Sequence, residues 1–290
     1  MGAAYSPALP DQAAGLRRLL SARAAGSVAI TAASPHAGHS AVAADLALAM
    51  SGNGLKVLLV DARGGPHGAA ALLGAQPAHD LLDVVRGASS LREASVQRSD
   101  GLQVVQAQRA LALAPRLPEV QAQRVRDALA QLCAQADVVL LDAAPGTSAG
   151  LSVTDRLLLV TRDDPDALTR SYGLLKRIAG ELGGCRVSVA LNGVRSASRA
   201  DRIFGNLQST ASQFLNLSLE CMGQLPDDAW VQRAAAARRP VMELFPTSPA
   251  ALALHRCAAA LLGDLASLAL PPQRFPGRLV EALHAGTANH

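Results

Sequence analysis

The sequence predicts an α/β fold, a mostly parallel, twisted sheet with helices on both faces. Short apolar runs of strand length alternate along the chain with longer segments in which apolar residues recur at helical spacing. Strands and helices of these lengths, in alternation, are typical of a parallel sheet covered on both sides. Half of the 290 residues are hydrophobic, which is enough for a sizeable core.

These two patterns place the elements in chain order. The apolar runs predict strands at residues 28–33, 55–61, 102–105, 137–142, 156–161, 187–192 and 217–222. Helical spacing predicts helices at residues 41–50, 118–134, 166–182, 199–215, 227–237 and 249–268, with short helical turns over 72–82.

The first strand, turn and helix, residues 27–51, have the layout of a phosphate-binding loop. N–H groups in the first turn of a helix lack helical partners, and the helix dipole adds partial positive charge there. A glycine in the turn lets the backbone approach an anion, and a serine hydroxyl at the helix start is a usual Mg²⁺ ligand. The predicted nucleotide-binding residues of this loop are Ala37, Gly38, His39, Ser40 and Ala41.

The loop lacks its strongest charge. His39 stands directly before Ser40, where such loops usually carry a lysine that reaches the phosphates. An imidazole is shorter than a lysine side chain and, with an ordinary pKa of about 6.5, is mostly neutral at pH 7. Pro35 also removes one backbone N–H from the turn.

Two of the predicted strands end in an acid, Asp61 and Asp142. Ligands bind at the carboxyl ends of strands in α/β sheets, so Asp61 is a candidate nucleotide-binding residue. An Asp at the end of an apolar strand beside a phosphate loop usually holds Mg²⁺ through water, which makes Ser40 and Asp142 candidate metal ligands. The alternative for Asp142 is a carboxylate that caps the following turn.

The two ends of the chain differ from the predicted domain over residues 27–270. Residues 1–26 are expected to be flexible and to contain a short helix over 11–20, which either packs on its own domain or docks on a partner. Residues 271–290 form a predicted tail. Its apolar spacing predicts either a short amphipathic helix at a membrane surface or a frayed segment packed on the domain, with the apolar residues Phe275, Leu279 and Leu283.

Composition narrows the classes of partner. A net charge of +4 and a pI of about 9.2 suit a phosphate ligand, anionic lipid or acidic partner, but are too weak to indicate DNA. Four widely spaced cysteines without a CxxC pair favour reduced thiols in a cytoplasmic protein. We expect no signal peptide and no apolar run of membrane-spanning length.

The order of these motifs resembles the MinD/ParA class of deviant-Walker P-loop ATPases. That order continues after Asp142 with the segments LLLVTRDDPDALTRSYGLLKRI, VALNGVRS and MGQLPDD. Within the class, three segments resemble the flagellar-number regulators called FlhG or FleN. They are DQAAGLR at 11–17, LLGAQPAHDLLDVVRG at 72–87 and QFLNLSLECMGQLPDD at 213–228.

The resemblance implies a MinD-like domain that binds ATP or ADP with Mg²⁺. Asp142 corresponds to the Walker B acid, Ser40 to the Mg²⁺ ligand and Asn192 to an adenine contact. It also implies that the N-terminal helix docks on the signal-recognition-type GTPase FlhF and stimulates GTP hydrolysis, through Asp11, Gln12, Ala13, Leu16 and Arg17. A flagellar transcriptional activator, a switch-complex protein and the inner face of the cell membrane are further candidate contacts.

The sequence departs from that family at the positions that carry charge. The family loop reads KGGxGK[ST], whereas this chain has Ser34 and His39 in place of the two lysines. The family's Asp-x-Asp is Asp61-Ala62-Arg63 here, and an arginine cannot take a proton from an attacking water. Because phosphoryl transfer depends on positioning and charge neutralisation, we expect very slow or absent ATP hydrolysis and weak or lost nucleotide binding.

Two functional hypotheses follow. The first is a regulator of flagellar number and placement that activates an FlhF-like GTPase with little or no ATP turnover. The alternative is an active MinD/ParA-type ATPase switch in cell-pole or DNA positioning. The altered loop argues against the alternative, and the DQAAGLR segment and modest charge argue against DNA partitioning.

Overall fold

The organising feature of the fold is an eight-stranded sheet with helices on both faces. The protein is described by a computed structural model that covers residues 26–146, 151, 154–182, 185–267 and 275. The predicted helix over 11–20 and, apart from Phe275, the tail over 271–290 lie outside the described residues.

The strands confirm the predicted fold class. They are β1 Gly26–Thr31, β2 Val57–Asp61, β3 Ser95–Ser99, β4 Leu102–Gln106, β5 Val138–Asp142, β6 Arg156–Arg162, β7 Arg186–Val194 and β8 Leu219–Pro226. Their spatial order is β3-β4-β2-β5-β1-β6-β7-β8. All neighbours are parallel except β3 and β4, which are antiparallel.

The helices of the described residues lie between these strands or follow β8. They are α1 His39–Gly52, α2 Ala69–Leu72, α3 Leu81–Val85, α4 Gln108–Leu113, α5 Glu119–Cys133, α6 Pro165–Ile178, α7 Ala197–Leu215, α8 Ala229–Ala236, α9 Val241–Leu244 and α10 Pro249–Ser267. Single 3-10 turns cover Pro35–Ala37, Ala114–Arg116 and Ala179–Glu181.

The order of the strands places the phosphate loop at the middle of the sheet. Strand β1 lies between β5 and β6, so the turn that follows it opens at the carboxyl edge next to the end of β5. Helix α1 packs against α9 and α10 and is buried on almost all sides. A helix that is apolar all round belongs in the interior of a domain, and α1 therefore gives the loop a rigid base.

Strand β3, helix α4 and the four-residue helix α9 were not predicted. Strand β3 has the sequence SVQRS and is half-exposed at the edge of the sheet, so it contains no apolar run. Helix α4 begins within two residues of the end of β4, and its six residues are too few to give a helical period of their own.

One expectation about membranes needs correction, and one of the two alternatives for the tail gains support. Helix α10 is long and apolar enough to cross a membrane by length and composition, although no such run was expected, and half of its apolar window is buried. It packs on β8 and α1, as a core helix does. Phe275 is 3% exposed and belongs to the core layer that also contains Leu151 and Leu174, which agrees with the alternative of a segment packed on the domain.

Asp45 is a buried acid in the middle of α1. Its Oδ1 accepts a hydrogen bond from the N–H of Met242, 2.9 Å away, at the start of α9. Burial raises the pKa of Asp45 to about 7. The folded protein therefore holds this proton more tightly than the unfolded chain does. The resulting stability is complete below about pH 4 and is lost as the pH rises through about 7.

We predict that Asp45→Asn stabilises the protein at pH 8 by about 1–3 kcal/mol, because an amide keeps the acceptor and never ionises. The advantage should disappear at about pH 3 and below, where Asp45 is mostly protonated in both states. Urea denaturation at the two pH values measures this, with Asp100→Asn at an exposed turn as control. An equal effect at both pH values would contradict the assignment.

Candidate functional site

The loop after β1 has a specific backbone geometry. Ser34 is extended, Pro35–Ala37 form one 3-10 turn, and Gly38 has φ of +83°, after which α1 begins. A side chain at Gly38 would be strained by this φ, and its Cβ would lie 2.7 Å from Asn192 Nδ2. That amide nitrogen donates to the carbonyl of Ala37 at 2.9 Å. Asn192 therefore fixes the shape of the loop, and its contact with an adenine stays a prediction.

The first turn of α1 leaves its N–H groups open. The first helical bond runs from Val42 N–H to the carbonyl of Gly38, at 3.0 Å. The N–H groups of His39, Ser40 and Ala41 make no hydrogen bond within the described part of the chain. Unpaired N–H groups at a helix start attract an anion.

His39 is buried at the start of α1 without a hydrogen bond. Its side chain has no exposed surface, and both ring nitrogens lack a partner among the described residues. Nε2 lies 3.7 Å from Asp142 Oδ1, beyond hydrogen-bond distance. Burial, with a contribution from the nearby charge of Arg63, lowers the pKa of His39 to about 4. The ring is therefore neutral at pH 7 and does not replace the charge of a lysine.

Asp142 and Ser40 meet at the end of β5, as the sequence predicted from the strand ends. Ser40 Oγ donates to Asp142 Oδ1 at 2.9 Å, and the N–H of Ala69 donates to Oδ2 at 2.9 Å. Ala69 is the first residue of α2, so this carboxylate also satisfies a helix start on another segment. Burial, reinforced by the adjacent Asp61, raises the pKa of Asp142 to about 8.

Asp61 organises the loop between β2 and α2. Its Oδ1 accepts from the N–H groups of Arg63, at 3.1 Å, and Gly64, at 2.7 Å, while Oδ2 accepts from that of Ala70, at 3.0 Å. Burial raises the pKa of Asp61 despite these bonds. The sequence predicted a nucleotide contact for Asp61, but within the described structure its oxygens bind this loop.

Arg63 returns from that loop to the phosphate loop. Its Nη1 lies 3.0 Å from Ser40 Oγ and 2.6 Å from the carbonyl oxygen of His67. The sequence predicted Arg63 as the replacement of an acid and, as an alternative, as a positive charge near the phosphates, but it did not predict the contact with Ser40. The sequence feature that indicates a reversal of the chain here is the glycine-rich run at residues 64–68. Gly64 and Gly65 have φ of +66° and +72°, which lets the chain turn back toward Ser40.

These contacts do not fit a magnesium ion on Ser40. The hydroxyl hydrogen of Ser40 points to Asp142, so a metal ion would have to bind the lone pairs of Ser40 Oγ. Arg63 Nη1 donates into those lone pairs and carries its own positive charge to the same place. The described residues also contain no cluster of three or more His, Cys, Asp or Glu side chains that could hold a metal.

A cavity lies further along the same edge of the sheet. Its volume is about 520 Å³, and it opens beyond the ends of β7 and β8. No sequence pattern indicated this cavity, because its walls come from separate segments. They include Val194, Arg195, Pro226, Thr247, Leu252 and Arg256.

Comparison with known proteins identifies relatives of this chain. No family model matches. The antiactivator FleN of Pseudomonas aeruginosa is 29% identical over 235 residues, which are 80% of this chain and 84% of FleN. The MinD cell division protein of Aquifex aeolicus is 19% identical with a TM-score of 0.64, over 86% of this chain and 99% of MinD.

A third comparison concerns a structure with a bound nucleotide. The septum site-determining protein MinD of Pyrococcus horikoshii, complexed with Mg-ADP, is 18% identical with a TM-score of 0.62. The match covers 81% of this chain and 94% of that protein. The resemblance to FleN and the MinD/ParA fold, both predicted from the sequence, are confirmed.

We predict that Gly68→Ala destabilises the protein by about 1–3 kcal/mol. The new Cβ would lie 2.5 Å from Asp61 Oδ2 and 2.9 Å from the carbonyl of Gly64, and neither atom is free to move. Gly205→Ala in α7 is the control, because its Cβ meets no atom within 4 Å and should be neutral or slightly stabilising. Equal urea midpoints for Gly68→Ala and the unmodified chain would show that the loop does not depend on this packing.

Proposed function

With the relation to FleN and the MinD/ParA fold as premises, we propose that this chain is a nucleotide-binding regulator of flagellar number and placement. The single observation that carries the proposal is the match to FleN over four fifths of each chain. We further propose that it acts by binding protein partners in the cytoplasm, with ATP hydrolysis weak or lost.

The loop geometry supports nucleotide binding. The open N–H groups of His39, Ser40 and Ala41 form an anion site at the start of α1. The cavity beyond β7 and β8 lies at the same edge of the sheet and is large enough for a base. The proposed ligand is therefore ATP or ADP.

The same geometry supports slow or absent turnover. Stabilisation of charge is the main catalytic contribution to phosphoryl transfer. His39 is neutral, and Arg63 stands where an acid would orient the attacking water. Each missing group typically costs 10²- to 10³-fold in rate, so the combined loss should bring hydrolysis close to background.

The partner proposal rests on the first 20 residues. In our proposal, the helix over residues 11–20 docks on an FlhF-like GTPase through Asp11, Gln12, Ala13, Leu16 and Arg17 and stimulates it. A flagellar transcriptional activator is a second proposed partner, supported by the word antiactivator in the name of the relative. Contact with the inner face of the cell membrane is proposed only for residues beyond Phe275, which is itself buried.

An active ATPase switch of the MinD/ParA type is the competing function, supported by the fold and by the pairing of Ser40 with Asp142. Phosphate release distinguishes the two. We predict no ATP hydrolysis above background in the purified chain. His39→Lys alone should not restore it, because Arg63 remains. Steady turnover that Asp142→Ala abolishes would establish the switch instead.

For the partner, we predict that deletion of residues 1–22 abolishes stimulation of the GTPase and leaves the melting temperature nearly unchanged. A helix of this length is marginal alone and should fold on binding. Leu16→Asp and Arg17→Glu should have the same effect, with Arg92→Ala at an exposed position before β3 as the matched control. A truncated chain that still stimulates, or that no longer folds, would contradict the proposal.

A further inference from the structure

On the basis of the proposed nucleotide binding, we propose that Arg63 replaces the magnesium ion of this site. In this view, the guanidinium is the cation that a di- or triphosphate contacts, and binding needs no divalent metal. The proposal concerns the charge on the phosphates and does not depend on hydrolysis or on a protein partner.

Three contacts hold Arg63 at the position in question. Its backbone N–H donates to Asp61 Oδ1 at 3.1 Å, which anchors the residue directly after β2. Its Nη1 donates both to the carbonyl of His67, at 2.6 Å, and to Ser40 Oγ, at 3.0 Å. The guanidinium is therefore held in the site by hydrogen bonds to two different loops.

The remaining edge of the guanidinium is suited to phosphate. Nε and Nη2 make no hydrogen bond with any residue in the described ranges, while Nη1 makes two. This edge carries two parallel N–H donors, which match two oxygens of one phosphate group. The open N–H groups of the first turn of α1 belong to Ser40 and to its neighbours His39 and Ala41, and they supply further donors.

The charge of Arg63 argues against a metal ion bound at the same site. The charge of Arg63 opposes the effect of burial on the pKa of Asp61 and of Asp142, which burial raises. It adds to the effect of burial on the pKa of His39, which burial lowers. The charge of Arg63 therefore acts on all three residues of the site. A divalent cation on Ser40 would meet this guanidinium at contact distance. Like charges this close repel strongly in a partly buried site.

The test is titration of the full chain with a fluorescent ADP derivative, in excess EDTA and in saturating Mg²⁺. We expect dissociation constants within about twofold of each other in the two conditions. Arg63→Gln keeps hydrogen-bond donors for Ser40 and His67 but removes the charge. It should weaken binding in EDTA by about 10- to 100-fold, the usual effect of losing a charged hydrogen bond. Arg92→Ala, at an exposed position before β3, is the control and should leave both constants unchanged.

A direct metal readout separates the remaining outcomes. In electron paramagnetic resonance with Mn²⁺, the chain with ADP should bind no more Mn²⁺ than ADP alone, whereas Arg63→Asp should acquire a bound ion. ADP binding that requires Mg²⁺ would overturn the role of Arg63 and leave the proposed nucleotide binding intact. Binding that appears only in Arg63→Gln would show that Arg63 blocks the site. The absence of ADP binding in the chain and in every variant would overturn the proposed nucleotide binding as well.

Discussion

The arrangement of this site follows from two buried carboxylates that lie side by side. The parallel register pairs Asp61 of β2 with Asp142 of β5, and neither residue has exposed surface. A buried carboxylate is costly unless hydrogen bonds and opposite charge surround it. Four backbone N–H groups, the hydroxyl of Ser40 and the charge of Arg63 supply these contacts.

The loop between β2 and α2 takes its shape from the same requirement. Asp61 binds both ends of the loop, at Gly64 and at Ala70, and Gly68 lies too close to Asp61 for any side chain. The reversal at the two left-handed glycines then brings Arg63 back to Ser40. In a P-loop ATPase, lysines of the phosphate loop carry the positive charge of the site. In this chain Arg63, on the neighbouring loop, brings a positive charge to Ser40.

Much of the fold was predictable because buried strands are apolar runs. The ends of β2 and β5 were placed correctly, and with them the meeting of Ser40 and Asp142. Strand β3 was not predictable, because an edge strand half exposed to solvent needs no apolar run. The contact of Arg63 with Ser40 was not predictable either. It depends on backbone angles at Gly64 and Gly65 and joins residues 23 positions apart, which no local pattern records.

The most direct test of this account is a crystal structure of the full chain with ADP, grown in EDTA. The account predicts phosphate oxygens on the N–H groups of Ser40 and Ala41, with Nε and Nη2 of Arg63 within hydrogen-bond distance of a phosphate. A metal ion on Ser40 with Arg63 turned away would contradict it. So would ADP bound elsewhere while Arg63 remains on Ser40 and the first turn of α1 stays open.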